Sequence, residues 1–125
     1  MHNEKRTQIL IVDDDETFCR CLAELLEYKS IEVTWTTDGL KGYDSACRQA
    51  YDLYIFDVRM PLVSGIELSE GVKEIHHDAK IILISAFADN RLRQTADTLG
   101  VTVLSKPFNA NRLLELVETT LRAAA

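Results

Sequence analysis

Four short apolar runs of this chain are each followed by a group that can handle charge. Asp13, Asp14 and Asp15 come after Gln8 to Val12, and Asp57 comes after Leu53 to Phe56. Ser85 follows Lys80 to Ile84, and Lys106-Pro107 stands a short interval after Val101 to Leu104. If the runs are neighbouring strands, several carboxylates meet at one edge, where two unit charges ~4 Å apart repel by about 4 kcal/mol at an effective dielectric near 20. A divalent cation relieves that repulsion. Hard oxygen donors with open positions suit Mg²⁺, with Mn²⁺ as a substitute, because Mg²⁺ keeps several waters and completes its shell with phosphate oxygens. Lys106 and Ser85 then offer what a phosphoryl group needs, a point charge and a hydroxyl donor. Each residue also has an ordinary structural reading: Asp15 as a helix cap, Ser85 as a loop residue, Lys106 as a solvated charge. Their co-occurrence at the ends of several strands favours a site. Asp57 has a wholly apolar lead-in, where an unpaired charge is costly.

The elements that would position these groups alternate along the chain. Besides the four runs above, Ile31 to Thr36 reads as a strand, and runs with so little polar alternation suggest strands buried on both faces of a parallel sheet. Between them lie helical stripes: Phe18, Leu22, Leu25, Leu26; Leu40, Tyr43, Cys47, Ala50; Leu68, Val72, Ile75; Leu92, Ala96, Leu99; and Leu113, Leu114, Val117, Leu121. Gly100 closes the fourth helix in the position that favours a left-handed residue. Thr37 and Asp38 after the second strand look like a turn and a helix start. Five βα units in strict alternation predict a doubly wound α/β fold, a five-stranded parallel sheet between two layers of helices. In such a sheet, ligands bind beyond the carboxyl ends of the strands. The first few residues and Ala123-Ala124-Ala125 are expected to fray.

The 125 residues suit one domain, with a core from about 8 to 122. A net charge of −6 argues against a phosphate-backbone ligand, and no apolar run is long enough to cross a bilayer. Three cysteines without metal-ligand spacing suggest reduced thiols packed as small apolar residues, and with no signal-peptide core the expected compartment is the cytoplasm.

The segments ILIVDDD (9–15), YDLYIFDVRMPLVSGIEL (51–68), KIILISAFAD (80–89) and GVTVLSKPF (100–108) together resemble the receiver domain of two-component response regulators. The resemblance implies a flavodoxin-like strand order, 2-1-3-4-5, and a phosphoacceptor rather than a turnover enzyme. It implies that Asp57 accepts the phosphoryl group and that Asp13, Asp14, Asp57 and the backbone carbonyl of Arg59 hold the metal. Ser85 and Lys106 would bind the phosphoryl group, and the Lys106–Pro107 bond would be cis. Gly65 is expected to permit a backbone conformation that other residues resist. A histidine kinase or phosphotransfer domain would be the partner, docking near the first helix, Phe18 to Leu26. A homodimer would use the fourth helix, fifth strand and fifth helix, with Arg91, Arg93, Asp97, Arg112 and Glu115. No membrane or nucleic-acid partner is implied for this chain.

Two departures matter. Val103 stands where the family commonly has a switching aromatic, and the Gly100-to-Lys106 segment is one residue shorter than the usual form. Ser85 would pull its loop, Ala86 to Asp89, into a second arrangement, and Phe87 is the candidate for part of the aromatic's role. Arg59 and Phe87, each two residues beyond a site residue, flank the approach of water to Asp57. Two alternatives stay open: a haloacid-dehalogenase-like aspartyl phosphatase or phosphotransferase, which wants a second acid where Arg59 stands, and a receiver-like interaction module that is not phosphorylated.

Overall fold

A computed structural model describes residues 5–123. Strands and helices alternate as β1 (Gln8–Val12), α1 (Glu16–Tyr28), β2 (Glu32–Thr36), α2 (Gly39–Arg48), β3 (Leu53–Asp57), α3 (Gly65–Ile75), β4 (Ile81–Ser85), α4 (Asn90–Leu99), β5 (Thr102–Ser105) and α5 (Ala110–Arg122). All strand pairs are parallel, in the order β2-β1-β3-β4-β5. The side-chain period of two sorts each central strand between two cores. Ile9, Ile11, Leu53, Ile55, Ile82 and Ile84 pack with Cys19, Leu22 and Leu26 of α1 and Leu113 and Val117 of α5. Leu10, Val12, Tyr54, Phe56, Ile81 and Leu83 pack on the other side with Ala46 of α2, Leu68 and Val72 of α3, and Ala96 of α4. The result is the expected three-layer sandwich.

Burial on both faces holds for β1, β3 and β4 but not for the edge strands. β2 alternates as Glu32-Val33-Thr34-Trp35-Thr36, with Glu32 and Thr34 exposed, and β5 exposes Thr102. The stripe assigned to α2 is also corrected. Leu40 is 57% exposed, and Tyr43, Cys47 and Ala50 are exposed as well, while the helix buries Gly39, Gly42 and Ala46. A side chain at Gly42 would meet Val12 Cγ2 at 2.6 Å, so α2 lies too close to the sheet for larger residues. Cysteine burial follows the same sorting: Cys19 is in the core, whereas Cys21 and Cys47 are exposed free thiols rather than packed ones.

The helix starts expected at Asp15 and Asp38 are present, and Asp89 adds one that was not expected. They cap α1, α2 and α4, each carboxylate accepting from a backbone N–H of the first turn. Gly100 ends α4 at φ 73°, the left-handed residue expected there. The fraying expected at the first few residues and at Ala124-Ala125 lies outside the described residues. Ala123 is described, and its N–H donates to the Thr119 and Thr120 carbonyls. Among the described residues no helix is long and apolar enough to cross a membrane.

Candidate functional site

Strand periodicity aims the site. Ile9 and Ile11 face α1 and α5, and the next residue of that parity is Asp13; Leu53 and Ile55 lead in the same way to Asp57, and Leu104 to Lys106. Val12 pairs with Phe56, so Asp13 and Asp57 are successive neighbours beyond the same register step. The three groups therefore leave the sheet on one side, at its carboxyl edge.

Asp13 is 1% exposed. Its Oδ1 accepts from the Asp15 N–H at 2.9 Å, whereas Oδ2 is buried without a hydrogen-bond partner among the described residues. Lys106 Nζ lies 3.9 Å from that oxygen and 4.0 Å from Asp57 Oδ1, near enough for attraction but beyond hydrogen-bond distance to either. Burial is the main cause that pushes the Asp57 carboxyl up to about 6; the Asp13 charge adds to it and the Lys106 ammonium opposes it. Asp13 is raised in the same way, chiefly by burial. One carboxylate oxygen from each of Asp13, Asp14 and Asp57 lies within 4.8 Å of the others. A buried carboxylate oxygen without a donor, in an all-oxygen set with a single lysine beside it, fits a hard divalent cation.

Close packing behind Asp57 fixes the following loop. The Val58 N–H donates to the Ile84 carbonyl at 2.9 Å, and the Gly65 N–H donates to the Val58 carbonyl at 3.0 Å. A side chain at Gly65 would run into the Asp57 carbonyl oxygen. Gly65 is thus required by space, not by the unusual backbone conformation expected of it. The left-handed residue of this loop is Leu62, at φ 71°. Ser85 ends β4, one step beyond the Ile84 that pairs with Asp57. Its Oγ accepts from the Phe87 N–H at 3.0 Å, which leaves the hydroxyl proton free to donate. The Lys106 N–H donates to the Ser85 carbonyl at 2.8 Å, and the Lys106–Pro107 peptide is cis.

The structure thus brings Asp13, Asp14, Asp57 and Lys106 together, with Ser85 on the adjacent strand end. Arg59 and Phe87 are exposed and line one cleft of about 200 Å³ with Ser85, Asp89 and Arg91. Val103 is half-buried and packs on the α4 side of the sheet. Two residues at the site were legible only as core. Phe18 lies under Lys106, with Nζ 5.3 Å from the ring centroid. The Cys19 thiol donates to the Asp13 carbonyl at 3.3 Å, and burial pushes it up to about 12, so it stays a neutral donor.

The family model of the response regulator receiver domain matches residues 9–118. The response regulator receiver protein CpdR of Brucella abortus is 35% identical over 118 residues, covering 94% of this chain and 98% of CpdR. The transcriptional regulatory protein YkoG of Bacillus subtilis is 31% identical over 119 residues, 94% of this chain but 52% of YkoG, so the chain spans about half of that relative. The non-phosphorylated HemR receiver domain from Leptospira biflexa superposes with a TM-score of 0.91 at 26% identity, covering 96% of this chain and 98% of that one. With the match across most of its length and the shared parallel sheet, the chain belongs to the response regulator receiver domain family of two-component systems.

Proposed function

We propose that Asp57 accepts a phosphoryl group from the phosphohistidine of a histidine kinase or phosphotransfer domain, in a Mg²⁺-dependent reaction in the cytoplasm, and that the acyl phosphate switches the molecule between two conformations. The observation that carries this reading is the imbalance of the pocket: three carboxylates meet beside one ammonium, and a buried Asp13 oxygen has no donor among the described residues. A bound Mg²⁺ would neutralise charge on the transferring oxygens, and Asp13, Asp14, Asp57 and the Arg59 carbonyl are the residues that would hold it. An Asp57 oxygen attacks phosphorus while the bond from phosphorus to the donor nitrogen breaks, the electron pair leaving with the imidazole. Such transfers need positioning and charge neutralisation more than covalent help. Lys106 supplies a fixed positive charge, and the Ser85 hydroxyl donates to a phosphoryl oxygen. Drawing Ser85 toward that oxygen strains its bond to the Phe87 N–H and so moves the Ala86 to Asp89 loop. Arg59 and Phe87 screen the acyl phosphate from water, which makes its hydrolysis slow. The α4–β5–α5 face, with Arg91, Arg93, Asp97, Arg112 and Glu115, serves as the contact of a phosphorylated homodimer; a beryllofluoride-treated protein that stays monomeric removes that part.

The test is intact-protein mass after incubation with a small phosphodonor and Mg²⁺. One phosphate adduct is expected, absent in Asp57→Ala and after chelation, with a shorter lifetime in Arg59→Ala and Phe87→Ala. Rapid multiple-turnover phosphate release without an adduct would instead indicate an aspartyl phosphatase. No adduct and no response to beryllofluoride would indicate an interaction module that is not phosphorylated.

A further inference from the structure

Lys106 is a third exposed and hydrogen-bonded to neither carboxylate, so neither burial nor a donor contact fixes its ammonium. Beside the attraction of the two carboxylates, the ring of Phe18, 5.3 Å below Nζ, gives it a directional contact. Phe18 is held at backbone and ring. The Phe18 N–H donates to the Asp15 carboxylate that caps α1. Its ring meets Phe108 edge-on, with centroids 6.2 Å apart at 82°. Phe108 lies two residues beyond Lys106, so the loop that carries the lysine also braces the ring beneath it. We propose that Phe18 is a positioning residue for Lys106, holding the ammonium over its face between Asp13 and Asp57 until a phosphoryl group on Asp57 draws the ammonium away. The proposal rests on Asp57 as phosphoacceptor. It places the aromatic that responds to phosphorylation on the α1 and α5 side of the sheet, whereas Val103 faces the other side.

The signature is spectroscopic. In the free protein, the Lys106 ε-methylene protons lie in the shielding cone of Phe18 and resonate upfield of the other lysines. Adding beryllofluoride with Mg²⁺ moves them back toward the ordinary lysine position. With a small phosphodonor, which needs no docking surface, Phe18→Leu slows Asp57 phosphorylation roughly threefold, the equivalent of a partly exposed cation–π contact, and Phe18→Tyr restores the rate. An unshifted Lys106 signal in the free protein overturns the proposal, as does a signal that stays upfield once beryllofluoride is bound. Wild-type rates in Phe18→Leu, or a Phe18→Tyr as slow as Phe18→Leu, overturn it too. If the wild type takes up no beryllofluoride, the phosphoacceptor role itself fails and this proposal with it; uptake with a motionless Lys106 signal rejects the role of Phe18 alone.

Discussion

The two edges of the sheet treat their polar groups in opposite ways. At the amino edge, Asp52 Oδ2 accepts from the Gln8 N–H at 2.8 Å, and the Gln49 and Gln8 side chains bond at 2.6 Å. Lys80 Nζ donates to the Leu121 and Ala123 carbonyls, capping the negative end of α5. At the carboxyl edge three carboxylates share one lysine that hydrogen-bonds to none of them, and a buried oxygen has no donor among the described residues. Both edges belong to the same strands, so the difference is not one of fold. Groups that hold the sheet at the amino edge are paired off; those at the carboxyl edge are left with unused capacity, the condition the proposed phosphoacceptor site needs, at a cost in stability.

Removing one lysine from each edge, Lys106 and Lys80, gives the largest contrast. Lys106→Met is expected to slow Asp57 phosphorylation by a small phosphodonor roughly a hundredfold, the usual loss when one charge-stabilising group leaves such a site. Lys80→Met should leave that rate unchanged and lower stability by about 1 kcal/mol, through the two carbonyls it abandons. Rates by intact mass and stability by urea unfolding measure both. Equal rates in the two variants would erase the distinction between the edges.

The unbalanced edge should also show in the pH dependence of stability. Asp57 is pushed from an ordinary value near 3.8 up to about 6, so the folded state binds its proton more tightly than the unfolded chain. The stabilisation this gives is complete below about 3.8 and is lost as pH rises through about 6. Asp57→Asn removes the loss, and metal-free stability at pH 7 should rise by about 1–3 kcal/mol. Urea unfolding between pH 4 and 7 should show a fall in the wild type that is flattened in the variant. A variant no more stable than the wild type at pH 7 would mean that the pocket carries no penalty.

What could be read in the sequence follows from the same sorting. Runs such as ILIV and YIF fix strand parity, and parity alone sends Asp13, Asp57 and Lys106 to one side of one edge. Helix α2 misled because hydrophobic period assumes that the larger residues face inward. Against Val12 only Gly42 fits, and Leu40 and Tyr43 are left outside. Gly65 misled in another way: its missing Cβ matters through contact with the Asp57 carbonyl, 8 residues away in sequence, which no local backbone rule can show. Phe18 fitted the core stripe well enough that its second contact, with a lysine 88 residues further on, left no separate trace.

The smallest effect belongs to a paired carboxylate of the amino edge. Asp52 is exposed, and its oxygen accepts a single backbone N–H at the start of β1. An asparagine keeps an acceptor oxygen of the same reach, so Asp52→Asn loses only the charge on that bond and should cost about 0.5 kcal/mol or less. Because the group lies at the far end of β3 from Asp57, the phosphorylation rate and its Mg²⁺ dependence should match the wild type. The same exchange of carboxylate for amide at Asp57 should raise stability and end phosphorylation. One substitution made at the two ends of one strand thus isolates position from chemistry. If Asp52→Asn also stabilised the protein, net negative charge would explain the gain at Asp57, and the buried pocket would not be needed to account for it.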